Sequence, residues 1–142
     1  MGAANLPGDA APGDAPRGEL AVRTLAMPAD TNPTGDIFGG WIMSLMDVAG
    51  GIAAAAWAEG RVATVAATDM AFLGPVKVGD VVCCYTDLER LGRTSITLRV
   101  ETWVLQLGQP GRLPERLKVT SADFTYVALD GEGRPRPIAR RA

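Results

Sequence analysis

A single carboxylate, that of Asp47, interrupts an almost wholly apolar stretch at residues 42–58, which follows the glycine pair Gly39 and Gly40. An ionised carboxylate among apolar side chains is unfavourable unless hydrogen-bond donors solvate it. Two interpretations are open. Asp47 is either a structural group held in a buried hydrogen-bond network, or a group whose environment suits it for catalysis.

The absence of histidine from all 142 residues excludes several kinds of catalytic site. Neither a Ser-His-Asp nor a Cys-His arrangement can form, and histidine-based zinc sites are excluded too. Cys83 and Cys84 are adjacent, so in a strand their side chains point to opposite faces and form neither a disulfide nor a metal site. We interpret both as small buried hydrophobic residues in a reducing compartment. Chemistry must then depend on carboxylates, amides, hydroxyls and backbone groups.

The composition indicates one domain with a substantial core, because 47% of the residues are apolar. A net charge of −2 argues against nucleic-acid binding, which needs a basic surface. The uninterrupted apolar run at residues 48–58 is too short to cross a bilayer. Residues 1–18 lack both the basic start and the apolar block of a secretory signal. We expect a cytoplasmic protein that binds neither nucleic acid nor membrane.

Turn residues and hydrophobic periodicity place a strand and then a helix in the first half of the chain. Residues 19–27 have strand character, and Pro28 ends that strand because proline cannot donate to a sheet ladder. A turn-rich loop at residues 29–38 leads into a helix that runs to residue 59, with Gly60 as its C′ residue. This helix is apolar on nearly every side, which is typical of a helix enclosed by protein.

Gly50 and Gly51 lie inside the predicted helix, where each glycine costs about 1 kcal/mol relative to alanine. Close approach of another backbone or of a bound chain would explain them, and so would tight packing of the helix on a sheet.

Four strands are predicted after the helix, and we expect them to pair as a hairpin-connected meander. They occupy residues 61–72, 81–91, 94–105 and 118–129. The fold class is then α+β, with a curved five-stranded antiparallel sheet around one long central helix. We expect residues 19–130 to form this domain, between a disordered N-terminal tail at residues 1–18 and a C-terminal tail at residues 131–142. One helix cannot cover such a sheet and its edges, so at least a dimer is expected.

Four motifs carry a resemblance to a known family. They are RTLAMPADTN at residues 23–32, GDIFGGW at 35–41, MSLMDVAGG at 43–51 and VGDVVCCY at 78–85. In their order and spacing the chain resembles the hotdog-fold acyl-CoA thioesterases, specifically the YciA-like bacterial group. The resemblance implies hydrolysis of acyl-CoA to a carboxylic acid and CoA, with no metal and no cofactor other than the CoA of the substrate. It also implies a homodimer with a continuous sheet, assembled as a trimer of dimers.

The resemblance assigns roles to particular residues. Asp47 matches the catalytic carboxylate, Asn32 the active-site amide, and Gly39 or Gly40 the helix-start glycine whose N–H holds the thioester oxygen. Independent physical chemistry supports the glycines, because the first N–H groups of a helix have no internal partner and suit a developing oxyanion. Asp47 lies about 11 Å further along the same helix. The site would therefore combine Asp47 of one protomer with Asn32 and the glycine of its partner, and Asp47 would be general base or nucleophile.

Three cations are candidates for binding the CoA phosphates, namely Lys77, Arg90 and Arg93, although solvated loop charges are an equally good interpretation. The sequence departs from the family at Thr68 and Asp69, where relatives carry the acid one position earlier. Two other functions are considered. A hotdog hydratase or dehydratase is disfavoured because its catalytic histidine has no counterpart, and a non-catalytic acyl-CoA binding or sensing module remains the alternative.

Overall fold

A five-stranded antiparallel sheet curves around one long helix in the computed structural model of this chain, which describes residues 15–107, 110–111 and 115–139. The elements in chain order are β1 (Glu19–Leu25), a single 3-10 turn (Pro28–Asp30), α1 (Gly39–Ala58), β2 (Val62–Phe72), β3 (Val81–Leu91), β4 (Ser95–Leu105) and β5 (Arg116–Ala128). The predicted architecture is confirmed, and each predicted element is present with its ends shifted by at most two residues.

The predicted meander is wrong for one strand. The order across the sheet is β1-β3-β4-β5-β2, so β2 pairs with β5 rather than with β3. After β2 the chain does not turn back on itself. It passes beneath the start of α1, where the N–H of Ile37 donates to the carbonyl of Val76, and it enters the sheet again beside β1. Consequently β1 and β2 are the two edge strands, and the outer edge of β2, next to α1, is unpaired among the residues that the structure describes.

The core lies between α1 and the inner face of the sheet. On β4 the residues Ile96, Leu98 and Val100 alternate inward and are at most 1% exposed. From the helix, Met46 and Ala49 are fully buried against them. Both cysteines are free and buried, as predicted. The alternation of side chains along β4 is what allows one face of the sheet to hold the helix while the other carries charges.

Length and composition alone would allow α1 to cross a membrane, because an 18-residue window has a mean hydropathy of 1.4. A core helix passes the same test, and α1 packs against all five strands. The predicted C′ residue is wrong by one position. Glu59, not Gly60, takes the left-handed conformation (φ 55°), and Arg136 caps the helix by donating to the carbonyl oxygen of Ala58 at 2.6 Å.

Residues from both predicted tails contact the domain. Residues 1–14 of the expected N-terminal tail lie outside the described residues, but the N–H of Arg17 donates to Glu101 on the outer face of the sheet. Of the expected C-terminal tail, residues 131–139 are described, and Ile138 is 6% exposed in the hydrophobic core. Arg140 and Arg141 lie outside the described residues.

Asp69 lies in a β-bulge of β2, between the register positions Thr68 opposite Asp123 and Ala71 opposite Ser121. Its φ of 52° is in the left-handed region, which favours glycine because it brings a side-chain Cβ close to the backbone. Asp69→Gly is expected to stabilise the protein by about 0.5–1 kcal/mol. Thermal unfolding measures the effect. Asp69→Ala is the control, since it removes the charge but keeps the Cβ, and a gain as large as that of the glycine variant would contradict a conformational cause.

Candidate active site

The carboxylate of Asp47 is held by two hydroxyl groups of the sheet. Thr64 on β2 donates to Oδ1 at 2.7 Å, and Tyr126 on β5 lies 3.0 Å from the same oxygen. The Tyr126 hydroxyl is also 2.9 Å from the main-chain carbonyl oxygen of Asp47. This arrangement is compatible with both a structural and a catalytic role for Asp47. The carboxylate has hydrogen-bond partners, and because it is only half-buried it is also accessible.

The two oxygens of the Asp47 carboxylate are not equivalent. Oδ1 receives both hydroxyl groups, whereas Oδ2 has no hydrogen-bond partner within the described part of the chain. Thr64 belongs to the edge strand β2, so this carboxylate lies beside the unpaired edge of the sheet. A carboxylate with one anchored and one free oxygen can accept a proton from water or attack a carbonyl.

Tyr126 is almost completely buried, at 1% exposure, and its ring stacks near that of Phe124. Burial chiefly, and then the charge of Asp47, raise the pKa of the Tyr126 hydroxyl above its ordinary value. It therefore keeps its proton at neutral pH and acts as a hydrogen-bond donor. Thr64 and Tyr126 were both missed by the sequence analysis. A tyrosine among inward-facing apolar residues was the available signal, because a buried phenol needs a partner for its hydroxyl.

Asn32 organises the loop that precedes α1. Its side-chain Oδ1 accepts three hydrogen bonds, from the N–H and hydroxyl of Thr34 at 3.0 and 2.8 Å and from the N–H of Asp36 at 3.1 Å. This is the turn chemistry for which asparagine is suited. With Oδ1 engaged, the Nδ2 group is left as a donor that is hydrogen-bonded to none of the residues described in the structure.

Gly39 and Gly40 form the first turn of α1, as predicted. Phe38 precedes them as the N-cap and supplies no side-chain hydrogen bond, so the N–H groups of both glycines are unpaired within the described ranges. A Cβ on Gly40 would lie 2.8 Å from the ring of Phe38, whereas one on Gly39 would make only an ordinary contact with Phe72 at 3.8 Å. Unpaired amides at a helix N-terminus are a binding site for a developing negative charge.

The three candidate cations do not come together in one protomer. Lys77 forms an ion pair with Asp36, close to the Asn32 loop, and is exposed. Arg90 lies near the far end of β3 in an outer-face cavity that Thr68 and Asp123 also line. Arg93 is exposed at the turn that follows, and its carbonyl accepts from the N–H of Ile138. The length of β3, about 30 Å or more, separates Lys77 from the two arginines.

Within one protomer, Asp47 and the Asn32 loop make no hydrogen bond or ion pair with each other in the described ranges. The glycine amides belong to the same helix as Asp47 but lie two turns earlier, about 11 Å away along the axis. The structure thus holds two half-sites, and both flank the edge strand β2. Thr64 of β2 contacts Asp47, and Phe72 at the other end of β2 lies beside Gly39.

Comparison with known proteins identifies the family to which the chain belongs. Residues 34–110 match the family model of the thioesterase superfamily. The acyl-CoA thioester hydrolase YciA of Salmonella typhimurium is 54% identical over 123 residues, which cover 87% of this chain and 92% of the relative. The chain therefore belongs to the thioesterase superfamily, with the hotdog fold.

Two solved structures help to identify the group within this superfamily. A hexameric thioesterase from Yersinia pestis superposes with a TM-score of 0.82 at 54% identity, covering 89% of this chain and 99% of that one. An aspartate-to-alanine variant of a hexameric, broad-specificity acyl-coenzyme A thioesterase superposes with a TM-score of 0.85 at 53% identity, covering 88% and 89%. Within the superfamily the chain falls in the YciA-like group, and it is an acyl-CoA thioester hydrolase.

Proposed function

We propose that this enzyme cleaves acyl-CoA in a site shared by two protomers, with Asp47 from one and Asn32 and the Gly39 or Gly40 amide from the other. The observation that carries this proposal is the placement of the two half-sites at opposite ends of one unpaired edge strand. A single protomer keeps its carboxylate and its oxyanion donors too far apart to act on one carbonyl.

The position of β2 at the edge of the sheet supports a pairing that would join the two half-sites. If β2 pairs antiparallel with the same strand of a second copy, the two-fold axis lies near its centre, which we place at residue 68. Thr64, which binds Asp47, would then face the partner subunit's Phe72, which lies beside Gly39. A symmetric pair of edge strands therefore brings each Asp47 next to the helix start of the other protomer.

Exposed apolar side chains support this interface. Several large hydrophobic residues on α1 and along β2 are more than 40% exposed in the single chain, namely Phe38, Met43, Val48, Ile52, Val65 and Phe72. A patch of this kind beside an unpaired strand edge marks a surface that another chain covers. The sequence predicted a helix enclosed on all sides, and the second copy supplies the enclosure that one protomer lacks.

In the shared site each group has a distinct role. The Nδ2 group of Asn32 and a glycine N–H donate to the thioester oxygen, which gains negative charge as the carbonyl is attacked. The free Oδ2 of Asp47 either takes a proton from the attacking water or attacks the carbonyl itself. In the first case the water oxygen bonds to the carbonyl carbon, the C–S bond breaks, and the proton taken by Asp47 passes to the departing sulfur. In the second case the C–S bond breaks as a mixed anhydride forms with Asp47, and water then hydrolyses the anhydride and supplies the proton of the thiol. Both routes release CoA as the thiol and the acyl group as a carboxylic acid.

The CoA moiety and the assembly complete the proposal. Lys77, close to the Asn32 loop, is the best-placed of the three candidate cations for a CoA phosphate, while Arg90 and Arg93 would need another protomer to bring them near. We propose a trimer of dimers in the cytoplasm, with the homodimer as the smallest active unit, in keeping with its hexameric relatives. No cofactor beyond substrate CoA is required for this chemistry.

A non-catalytic acyl-CoA sensor is the alternative at this site. A thiol-release assay with a series of saturated acyl-CoAs separates the two functions, because only a hydrolase liberates CoA from them. Multiple turnovers with at least one chain length are expected. Tight binding of every ester without thiol release would overturn the proposal, and the chain-length profile would give the substrate preference.

A further inference from the structure

We propose that Tyr126 is a positioning residue for thioester hydrolysis, because its hydroxyl fixes the Asp47 carboxylate with Oδ2 directed to the reaction. The inference rests on the catalytic role proposed for Asp47. It concerns a group that does not touch the substrate. Tyr126 lies on the inner face of β5, 79 residues away from Asp47 in sequence.

The contact is unusual because one hydroxyl group reaches two acceptors of the same residue. It lies 2.9 Å from the main-chain carbonyl oxygen of Asp47 and 3.0 Å from Oδ1. A link to the backbone and the carboxylate together restricts the χ1 angle of Asp47, because the side chain cannot rotate without leaving the shared donor. Thr64 then binds Oδ1 from β2 at 2.7 Å, so two strands anchor one oxygen.

Anchoring Oδ1 determines which oxygen can react. Two hydroxyl groups share the electron density of Oδ1, whereas Oδ2 has no hydrogen-bond partner in the part of the chain that the structure describes. Oδ2 is therefore the oxygen that is available to water or to the thioester. No proton leaves Tyr126 in this role, since its burial keeps the hydroxyl protonated.

Only glycine at position 50 of α1 leaves room for the hydroxyl group of Tyr126. A Cβ at residue 50 would lie 2.3 Å from the hydroxyl oxygen and 3.0 Å from two ring carbons, and the ring is held by its packing in the core. This contact resolves the question raised by the paired glycines in favour of tight packing of helix on sheet at Gly50. Gly51 has no such requirement, because its Cβ would make an ordinary contact with the ring at 3.8 Å.

The first test is Tyr126→Phe, which removes the hydroxyl and keeps the ring. We expect kcat for the best acyl-CoA substrate to fall about 10- to 100-fold with KM within about twofold, as for a catalytic group misplaced by a fraction of an ångström. Tyr85→Phe is the matched control. It removes the other phenol of the chain, which lies beside Arg23 on the outer face, and should leave both quantities unchanged.

The second test uses the glycine. Gly50→Ala should lower kcat about as much as Tyr126→Phe, because the new methyl group pushes the hydroxyl away, whereas Gly51→Ala should not. In the Tyr126→Phe background, Gly50→Ala should cost little further kcat, since the anchoring hydroxyl is already gone. The proposal would be overturned if the losses in kcat from Gly50→Ala and Tyr126→Phe were additive. It would also be overturned if Gly50→Ala and Gly51→Ala lowered kcat equally, because that would show a general effect on the helix.

The kcat of Tyr126→Phe is compared with that of Asp47→Asn, measured under the same conditions. If Asp47→Asn is inactive while Tyr126→Phe keeps wild-type kcat and KM, the positioning proposal is wrong and the proposed site stands. If Asp47→Asn keeps its activity, the proposed site itself is wrong. Melting temperature and assembly size, compared for all variants, identify any loss that comes from unfolding.

Discussion

Asp47→Asn is expected to reduce kcat by a factor of about 10³ or more while the protein keeps its fold and assembly. Asparagine has the shape of aspartate, and its carbonyl oxygen can still accept from the hydroxyls of Thr64 and Tyr126. What it lacks is the negative oxygen that takes a proton or attacks the carbonyl, and such groups contribute about 10²- to 10⁴-fold as general bases. Thiol release under saturating acyl-CoA gives kcat directly.

Asp87→Asn is the matched control for that variant. Asp87 forms an exposed ion pair with Arg17 at 3.0 Å, at a site that the proposed mechanism does not use. Exposed pairs contribute little to stability, so this variant should retain wild-type kcat and melting temperature. Equal activity of the two variants, with Asp47→Asn still turning over, would remove Asp47 from the mechanism.

Asn32→Asp is expected to lower kcat by about 10²- to 10³-fold or more, the range found when one oxyanion donor is lost. An aspartate at position 32 can still accept the three hydrogen bonds from Thr34 and Asp36 that shape the loop. It loses the Nδ2 donor and places a negative charge beside the developing oxyanion. The loop is therefore preserved while the chemistry is impaired, which a substitution by alanine would not achieve.

A loss in kcat together with an unchanged melting temperature would identify Asn32 as an oxyanion donor. Thr34→Val is the companion variant. It removes only the hydroxyl hydrogen bond to Oδ1, at 2.8 Å, and leaves the Nδ2 group in place. We expect its kcat to stay within a few-fold of wild type. If Thr34→Val were as slow as Asn32→Asp, loop geometry rather than the Asn32 donor would account for the effect.

The sequence was sufficient to predict those features that depend on local patterns. Gly39 at the helix start, the inward alternation on β4 and the pairing of β3, β4 and β5 all follow from periodicity and turn residues. The isolated carboxylate of Asp47 in an apolar helix indicated the candidate site for the same reason. Each of these signals lies within a short stretch of sequence, so it can be recognised without knowledge of the tertiary structure.

Features that join distant parts of the chain were not predictable in this way. The place of β2 beside β5 depends on a crossover beneath α1, and nothing local to residues 73–80 distinguishes that path from a hairpin. Thr64 and Tyr126 reach Asp47 from two strands, 17 and 79 residues away. The left-handed conformation of Glu59 was missed because Gly60 next to it fits that conformation better.

The most direct test of the shared site is complementation between two inactive variants. Asp47→Asn and Asn32→Asp protomers are unfolded together, refolded as an equimolar mixture, and compared with each variant refolded alone. Half of randomly formed dimers are mixed, and each mixed dimer has one intact site, so about a quarter of wild-type kcat per protomer is expected. Activity no greater than the mean of the two parents, in mixtures shown to contain mixed dimers, would contradict a site built from two protomers.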